Sequence, residues 1–207
     1  MYNFCKSIID KILALFFILL YLPLSLIIAV VIKITSKGPI FFKQQRVGQY
    51  GRVFILYKFR TMVLDFDAER DQVFVKKLIK GEYGKIGEEP VFKLKNDPRI
   101  TRFGMFLRKT GLDELPQLIN VLKGDMSFVG PRPALHYEVE RYTLRHKERL
   151  KVQPGITGLW QVTGRSMTTF DEMVELDLLY ATKKSLILDL KILFKTILLV
   201  FRGKGAY

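Results

Sequence analysis

Asp113 and Glu114 stand side by side in GLDELPQLINVLKGDMSFVGPRP, residues 111–133, and give this chain its clearest candidate for chemistry. One reading of the pair is structural: carboxylates ahead of a helix satisfy its unpaired first N–H groups and sit at the positive end of its dipole. The other is chemical. The same terminus attracts phosphate and hard divalent cations, and an ionised aspartate there serves as a metal ligand or as a nucleophile. Arg108, just upstream, and Arg132, downstream, are placed to bracket a pyrophosphate.

Arg132 lies in GPRP, where Pro131 and Pro133 fix their own φ and bias the residues before them toward extended conformations. A guanidinium held in this way suits bidentate phosphate binding, although PRP also occurs as a plain turn. Further on, QPGITGLWQVTGR, residues 153–165, either brings its backbone close to a ligand, with Arg165 as an anion contact, or makes a tight turn. Lys58 and Arg60 lie two apart on a predicted strand and so share a face, as solvated charges or as further anion contacts. There is no Walker loop and no G-x-G-x-x-G behind a strand.

Several elements must position these residues. PIFFKQQRVGQYGRVFILYKFRTM holds two runs rich in Phe, Val, Ile and Tyr around VGQYG, which predicts a β-hairpin over residues 40–60. A helix is expected from Asp113 to Lys123, with Leu115, Leu118, Ile119 and Leu122 on one side, Pro116 in its first turn and Gly124 as terminator. Residues 64–97 are polar and charge-dense, with a helix expected over Asp67–Ile79 and a loop after it.

Ile12 to Ile32 carries no charge and is long enough to cross the hydrocarbon core once. Too long for a signal-peptide core and without a small-residue cleavage site, it is expected to stay on the protein. Pro23 sits mid-run, and lysines flank both ends, Lys6 and Lys11 before it and Lys33, Lys37 and Lys43 after it. Basic flanks on both sides fit a helix that enters and leaves by one face, and equally a straight span with snorkelling lysines. At the other end, Leu186, Leu190, Leu193, Ile197 and Val200 recur at helical spacing, with Asp189, Lys191, Lys195 and Arg202 between them. That pattern suits either an interfacial helix or an amphipathic core helix.

The whole chain sets bounds on partners. Its 34 Lys+Arg outnumber 20 Asp+Glu for a net charge of +14, which calls for anions. No helix-turn-helix, zinc-finger or RNP signature points to nucleic acid, so membrane phosphates and a phosphorylated substrate account better for the charge. Cys5 is the only cysteine, which excludes an intramolecular disulfide framework, and His136 and His146 make no zinc signature.

Taken in order, the proline-bearing apolar N-terminus, YKFRTM, LRKTGLDELPQLINVLKGDMSFVGPRP, PGITGLWQVTGR and ELDLLY resemble the bacterial sugar transferase family, the monotopic phosphoglycosyl transferases, over almost the whole chain. The resemblance implies a mainly helical α+β fold: a re-entrant membrane helix over residues 1–36 broken at Pro23, and a catalytic domain over 37–207 with a hairpin, a catalytic helix and amphipathic interfacial helices. It implies transfer of a sugar-1-phosphate from a nucleoside diphosphate sugar, of UDP-hexose type, to polyprenyl phosphate, with magnesium and a covalent phosphosugar-enzyme intermediate. Asp113 then matches the nucleophile and Glu114 its metal-organising partner, while Arg108 and Arg132 match phosphate-binding arginines. The site would face the cytoplasm at the bacterial inner membrane, among phospholipids, with room for a homodimer and no role for nucleic acid. Many relatives carry Ser where this chain has Leu22, before the proline, and larger ones carry a multi-span N-terminal region. The resemblance thus implies a minimal catalytic unit. Two other readings make different predictions: a Leloir-type glycosyltransferase using the DFD triplet at residues 65–67, and a non-enzymatic membrane-anchored basic adaptor.

Overall fold

The computed structural model describes residues 2–63, 97, 99–163 and 169–201. The helix expected over Asp67–Ile79, the DFD triplet, Arg165 and Arg202 lie outside them. The described chain is mainly helical with two small sheets, as the sequence implied.

Helix α1, Tyr2–Thr35, contains the whole apolar run with Pro23 inside it. At about 1.5 Å per residue it is roughly 50 Å long. It is long and apolar enough to cross a membrane, by length and composition. One narrow stripe of α1 is buried, formed by Lys6, Asp10, Ala14, Ile28 and Ile32, while Ile12, Phe16, Leu19, Leu26, Ile27 and Val30 on its other faces stay exposed. The apolar run therefore gives one side to the domain and leaves the rest uncovered.

The expected hairpin forms as β1, Phe41–Val47, and β2, Val53–Phe59, antiparallel in the register Phe41↔Phe59 to Val47↔Val53. Tyr50 and Gly51 take positive φ in the connection, where a tight reversal needs the left-handed region. Phe54 and Leu56 pack with Ala14 of α1, while Phe59 packs with Ile28 and Ile32. The hairpin thus lies along the buried stripe of α1.

Helix α2, Arg102–Thr110, starts at Thr101, whose side chain accepts from the Gly104 N–H at 2.9 Å. It ends at Gly111 in the left-handed region, φ 71°. A one-turn 3-10 segment, Leu112–Glu114, follows before helix α3, Gln117–Lys123, closes on Gly124 at φ 83°. This corrects the expected single helix from Asp113: the carboxylates occupy the 3-10 turn, and the α-helix begins only after Pro116. The buried side also differs from expectation. It consists of Gln117, Leu118, Asn120 and Val121, whereas Ile119 and Leu122 are exposed. The reason is Asn120, fully buried, which accepts from Tyr57 N–H at 3.1 Å and donates to Ile55 C=O at 2.6 Å, so that its amide completes the open edge of β2.

Strand β3, Ser127–Val129, pairs in parallel with β4, Gly155–Thr157. Between them lie the short helices α4, His136–Val139, and α5, Leu144–Lys147, and a 3-10 turn, Glu148–Lys151. Helices α6, Leu159–Thr163, α7, Phe170–Lys183, and α8, Leu186–Phe201, finish the described chain. The outer side of α8 is apolar and exposed at Ile187, Leu190, Phe194 and Ile197. Asp189 departs from the simple amphipathic pattern. It turns inward, 5% exposed, and takes Lys6 Nζ at 2.8 Å and Tyr2 OH at 2.8 Å from the start of α1.

Candidate active site

Asp113 and Glu114 reach the site through a tight local construction. Gly111 ends α2 in a conformation that costs a side-chain-bearing residue energy, and the next three residues wind as 3-10. Asp113 is thereby buried, at 8% exposure, while Glu114 is half-buried. Lys58, near the end of β2, places Nζ 2.5 Å from Glu114 Oε1 and 4.0 Å from Asp113 Oδ2. A single cation thus serves both carboxylates, and two anions become tolerable side by side. The pair is held by tertiary contact with the hairpin as much as by any helix terminus.

Arg108 projects from the last turn of α2 and donates from Nε to Thr61 Oγ1 at 2.9 Å. Helix α2 lies so close to this segment that a Cβ on Gly104 would come within 2.1 Å of the Thr61 carbonyl oxygen. Arg108 is followed by Lys109 and Thr110, which end the helix, and then by Gly111 and Leu112 before Asp113. Asp97 and Arg99, which precede α2, form an ion pair, and the Arg99 hydrogen bond holds Asp97 below the usual carboxylate range.

Arg132 is half-buried in the turn after β3, and none of the described residues hydrogen-bonds its guanidinium. The two glycine-rich motifs meet here. Gly130 N–H donates to Thr157 C=O and Gly155 N–H donates to Pro131 C=O, both at 2.9 Å. A Cβ on Gly155 would fall 2.1 Å from Gly130 N, and one on Gly158 would fall 2.3 Å from Gly130 O. PGITG therefore makes its close backbone approach to GPRP, which accounts for these glycines without a ligand.

Arg60 does not join Lys58. It lies one residue past the end of β2, where strand alternation no longer constrains it. Its Nη2 donates to Ser36 C=O at 2.7 Å and Ser36 Oγ at 2.8 Å, so it caps the C-terminal end of α1. The structure therefore brings Lys58, Asp113 and Glu114 into contact and places Arg108 in the helix that leads into their turn, while Arg132 stands in the turn after β3, with Arg46 in electrostatic reach of both Arg132 and Glu114. Among the described residues, no three His, Cys, Asp or Glu side chains cluster as a metal cage.

Sequence reasoning missed Arg46, Arg149 and Asp177. Arg149, fully buried, pairs with Asp177 and donates from Nη1 to Tyr142 OH at 2.9 Å. Burial is the largest single influence and opposes the Arg149 charge, but Asp177, Tyr142 and Glu138 together outweigh it and keep the guanidinium above its ordinary value. Asp177 sits in ELDLLY, one of the motifs that carry the family resemblance, where a carboxylate amid leucines was the signal available for it.

Taken together, the fold and site define a class: an α+β domain seated along an apolar helix, with a carboxylate pair set among cations. The chain belongs to the bacterial sugar transferase family, whose model matches residues 1–203. It is 45% identical over 207 residues to the undecaprenyl-phosphate galactose phosphotransferase of Salmonella typhimurium, covering 99% of this chain and 42% of that protein. It is 48% identical over 170 residues to the galactosyl transferase CpsE of Streptococcus agalactiae, covering 82% of this chain and 36% of that one. The exopolysaccharide production protein ExoY of Rhizobium meliloti is 39% identical over 202 residues, covering 98% and 88% respectively. This chain thus spans well under half of the first two proteins and most of the third.

Proposed function

We propose that this chain transfers a sugar-1-phosphate from a UDP-hexose to polyprenyl phosphate, an early membrane step in building a bacterial polysaccharide. The observation that carries the reading is the Asp113–Glu114–Lys58 contact: one carboxylate is closely neutralised by the lysine, and its buried neighbour stands farther from it. An Asp113 oxygen would attack the β-phosphorus of the donor; the bond from that phosphorus to the bridging oxygen breaks, and UMP leaves. An oxygen of polyprenyl phosphate then attacks the same phosphorus, forms the diphosphate product and returns Asp113 as a carboxylate. Arg108 and Arg132 would hold phosphate oxygens of the donor.

Magnesium belongs to this reading. Asp113 and Glu114 are hard oxygen donors, and the lysine ammonium against Glu114 marks the corner as one that favours a cation. Two carboxylates, with no third clustered beside them among the described residues, suit an ion that shares its remaining positions with phosphate oxygens and water. When bound, magnesium would neutralise charge on the donor diphosphate.

The membrane arrangement we propose is monotopic, with both ends of α1 on the cytoplasmic side of the inner membrane and a bend at Pro23, which lies inside a helix that runs continuously from Tyr2 to Thr35. Support comes from the two ends being tied to one domain, Lys6 to Asp189 at one and Arg60 to Ser36 at the other. The exposed apolar sides of α1 and α8 would meet lipid.

The test is to incubate the protein with magnesium, polyprenyl phosphate and a panel of UDP-sugars, and to assay UMP and UDP separately. UMP release that Asp113→Asn abolishes is the expected result. UDP release would assign glycosyl transfer instead, and silence across a wide panel would refute the enzyme reading.

A further inference from the structure

Four consecutive carbonyls of the segment that carries Arg132 are each held from outside it. Pro131 C=O takes Gly155 N–H at 2.9 Å, and Arg132 C=O takes Arg149 Nη2 at 3.3 Å. Pro133 C=O takes Arg46 Nη1 at 3.0 Å, and Ala134 C=O takes Val47 N–H at 2.9 Å. The donors come from β4, the 3-10 turn after α5, and β1, so the segment is gripped from separate parts of the fold. With prolines at 131 and 133 the turn has few donors of its own, and its geometry is set by these neighbours.

Resting on the function proposed above, we infer that Arg46 and the Arg149–Asp177 pair are positioning residues for Arg132, ordering its guanidinium in advance for an anionic phosphate of the nucleotide-sugar donor. The two buried arginines differ in charge balance. Arg149 is neutralised by Asp177 and is further held by Tyr142. Arg46 is 8% exposed, its hydrogen-bond partners are the neutral Pro133 C=O and Gln44 Oε1, and its Nε has no partner among the described residues. A buried cation whose hydrogen-bond partners are neutral is costly; the charges of Glu138 and Glu114 offset part of that cost, and an incoming anion beside Arg132 would offset more of it. Burial, then the Arg132 charge, push the Arg46 guanidinium down to about 10, which places the two positive groups within electrostatic reach.

The experiment is a double-mutant cycle on the full chain, with UMP release measured against donor and polyprenyl phosphate separately and thermal unfolding followed in parallel. Arg46→Gln and Asp177→Asn are each expected to raise the donor KM about tenfold, the loss of roughly one charge-assisted contact, with little change in the KM for polyprenyl phosphate. On an Arg132→Ala background the same substitutions should add less than about twofold, because what they position is gone. If Arg46→Gln does not fold, Arg46→Lys enters the cycle under the same criterion. Effects that multiply fully in the double variants, or that fall equally on both substrates, overturn the inference while leaving UMP release by the wild type intact. A wild type that releases no UMP with any donor overturns the functional reading, and this inference with it.

Discussion

Replacing Asn120 with alanine tests whether the carboxylate turn is held in place by the edge of the hairpin. Asn120 is fully buried and makes two bonds to β2, one from Tyr57 N–H at 3.1 Å and one to Ile55 C=O at 2.6 Å. Asn120→Ala strands one backbone donor and one acceptor. At about 1–3 kcal/mol for each buried group left unmade, the loss is about 2–6 kcal/mol, and partial hydration of the strand edge places it near 3. For a chain of this length, about 2–4 °C per kcal/mol converts that to a Tm lower by roughly 6–12 °C. Lys58 follows Tyr57 directly, so the Lys58–Glu114 contact should loosen and the transfer rate should fall at temperatures where the protein is still folded. Thermal unfolding in one detergent or nanodisc, with UMP release alongside, reads both effects. Asn120→Asp gives a second check: an ionised carboxylate would face Ile55 C=O at neutral pH, so the damage should exceed that of alanine and shrink as the pH falls. A Tm loss below about 2 °C for Asn120→Ala would refute the reasoning.

Other outcomes follow from single contacts. Gly104→Ala puts a Cβ at 2.1 Å from Thr61 C=O, so α2 must shift and take Arg108 with it; a Tm loss and a raised donor KM are expected together, measured by unfolding and initial rates. Lys6→Met leaves Asp189 buried without its ammonium, which should cost about 3–5 kcal/mol, seen as early release of α1 in hydrogen exchange. Asp97 has a depressed pKa because Arg99 bonds it; its stabilisation is present above the ordinary carboxylate pKa and is lost as pH falls through the depressed value, so the Tm of an Asp97→Asn variant should fall less on acidification than that of wild type, the difference being Asp97's share.

The amino-acid sequence by itself determined the apolar helix, the hairpin and the terminator at Gly124, because each is written in a local pattern: an uncharged run, two β-rich runs around a turn, and a glycine after a periodic segment. It also determined the family, through motifs that keep their order along the chain. Only the tertiary structure decided that Asn120 is buried and Ile119 exposed, since a polar residue inside becomes favourable only when a strand edge 63 residues away in sequence supplies its partners. The same holds for Asp189, drawn inward by Lys6, and for Arg60, drawn from the carboxylates to the end of α1. The glycines of PGITG announced a close approach but not to what. GPRP proved to be the neighbour, and Arg46, Arg149 and Asp177 became visible only once their partners, distant in the chain, stood beside them. Hydrogen bonds and ion pairs between distant residues leave no periodicity in a sequence, and they are what arranges this site.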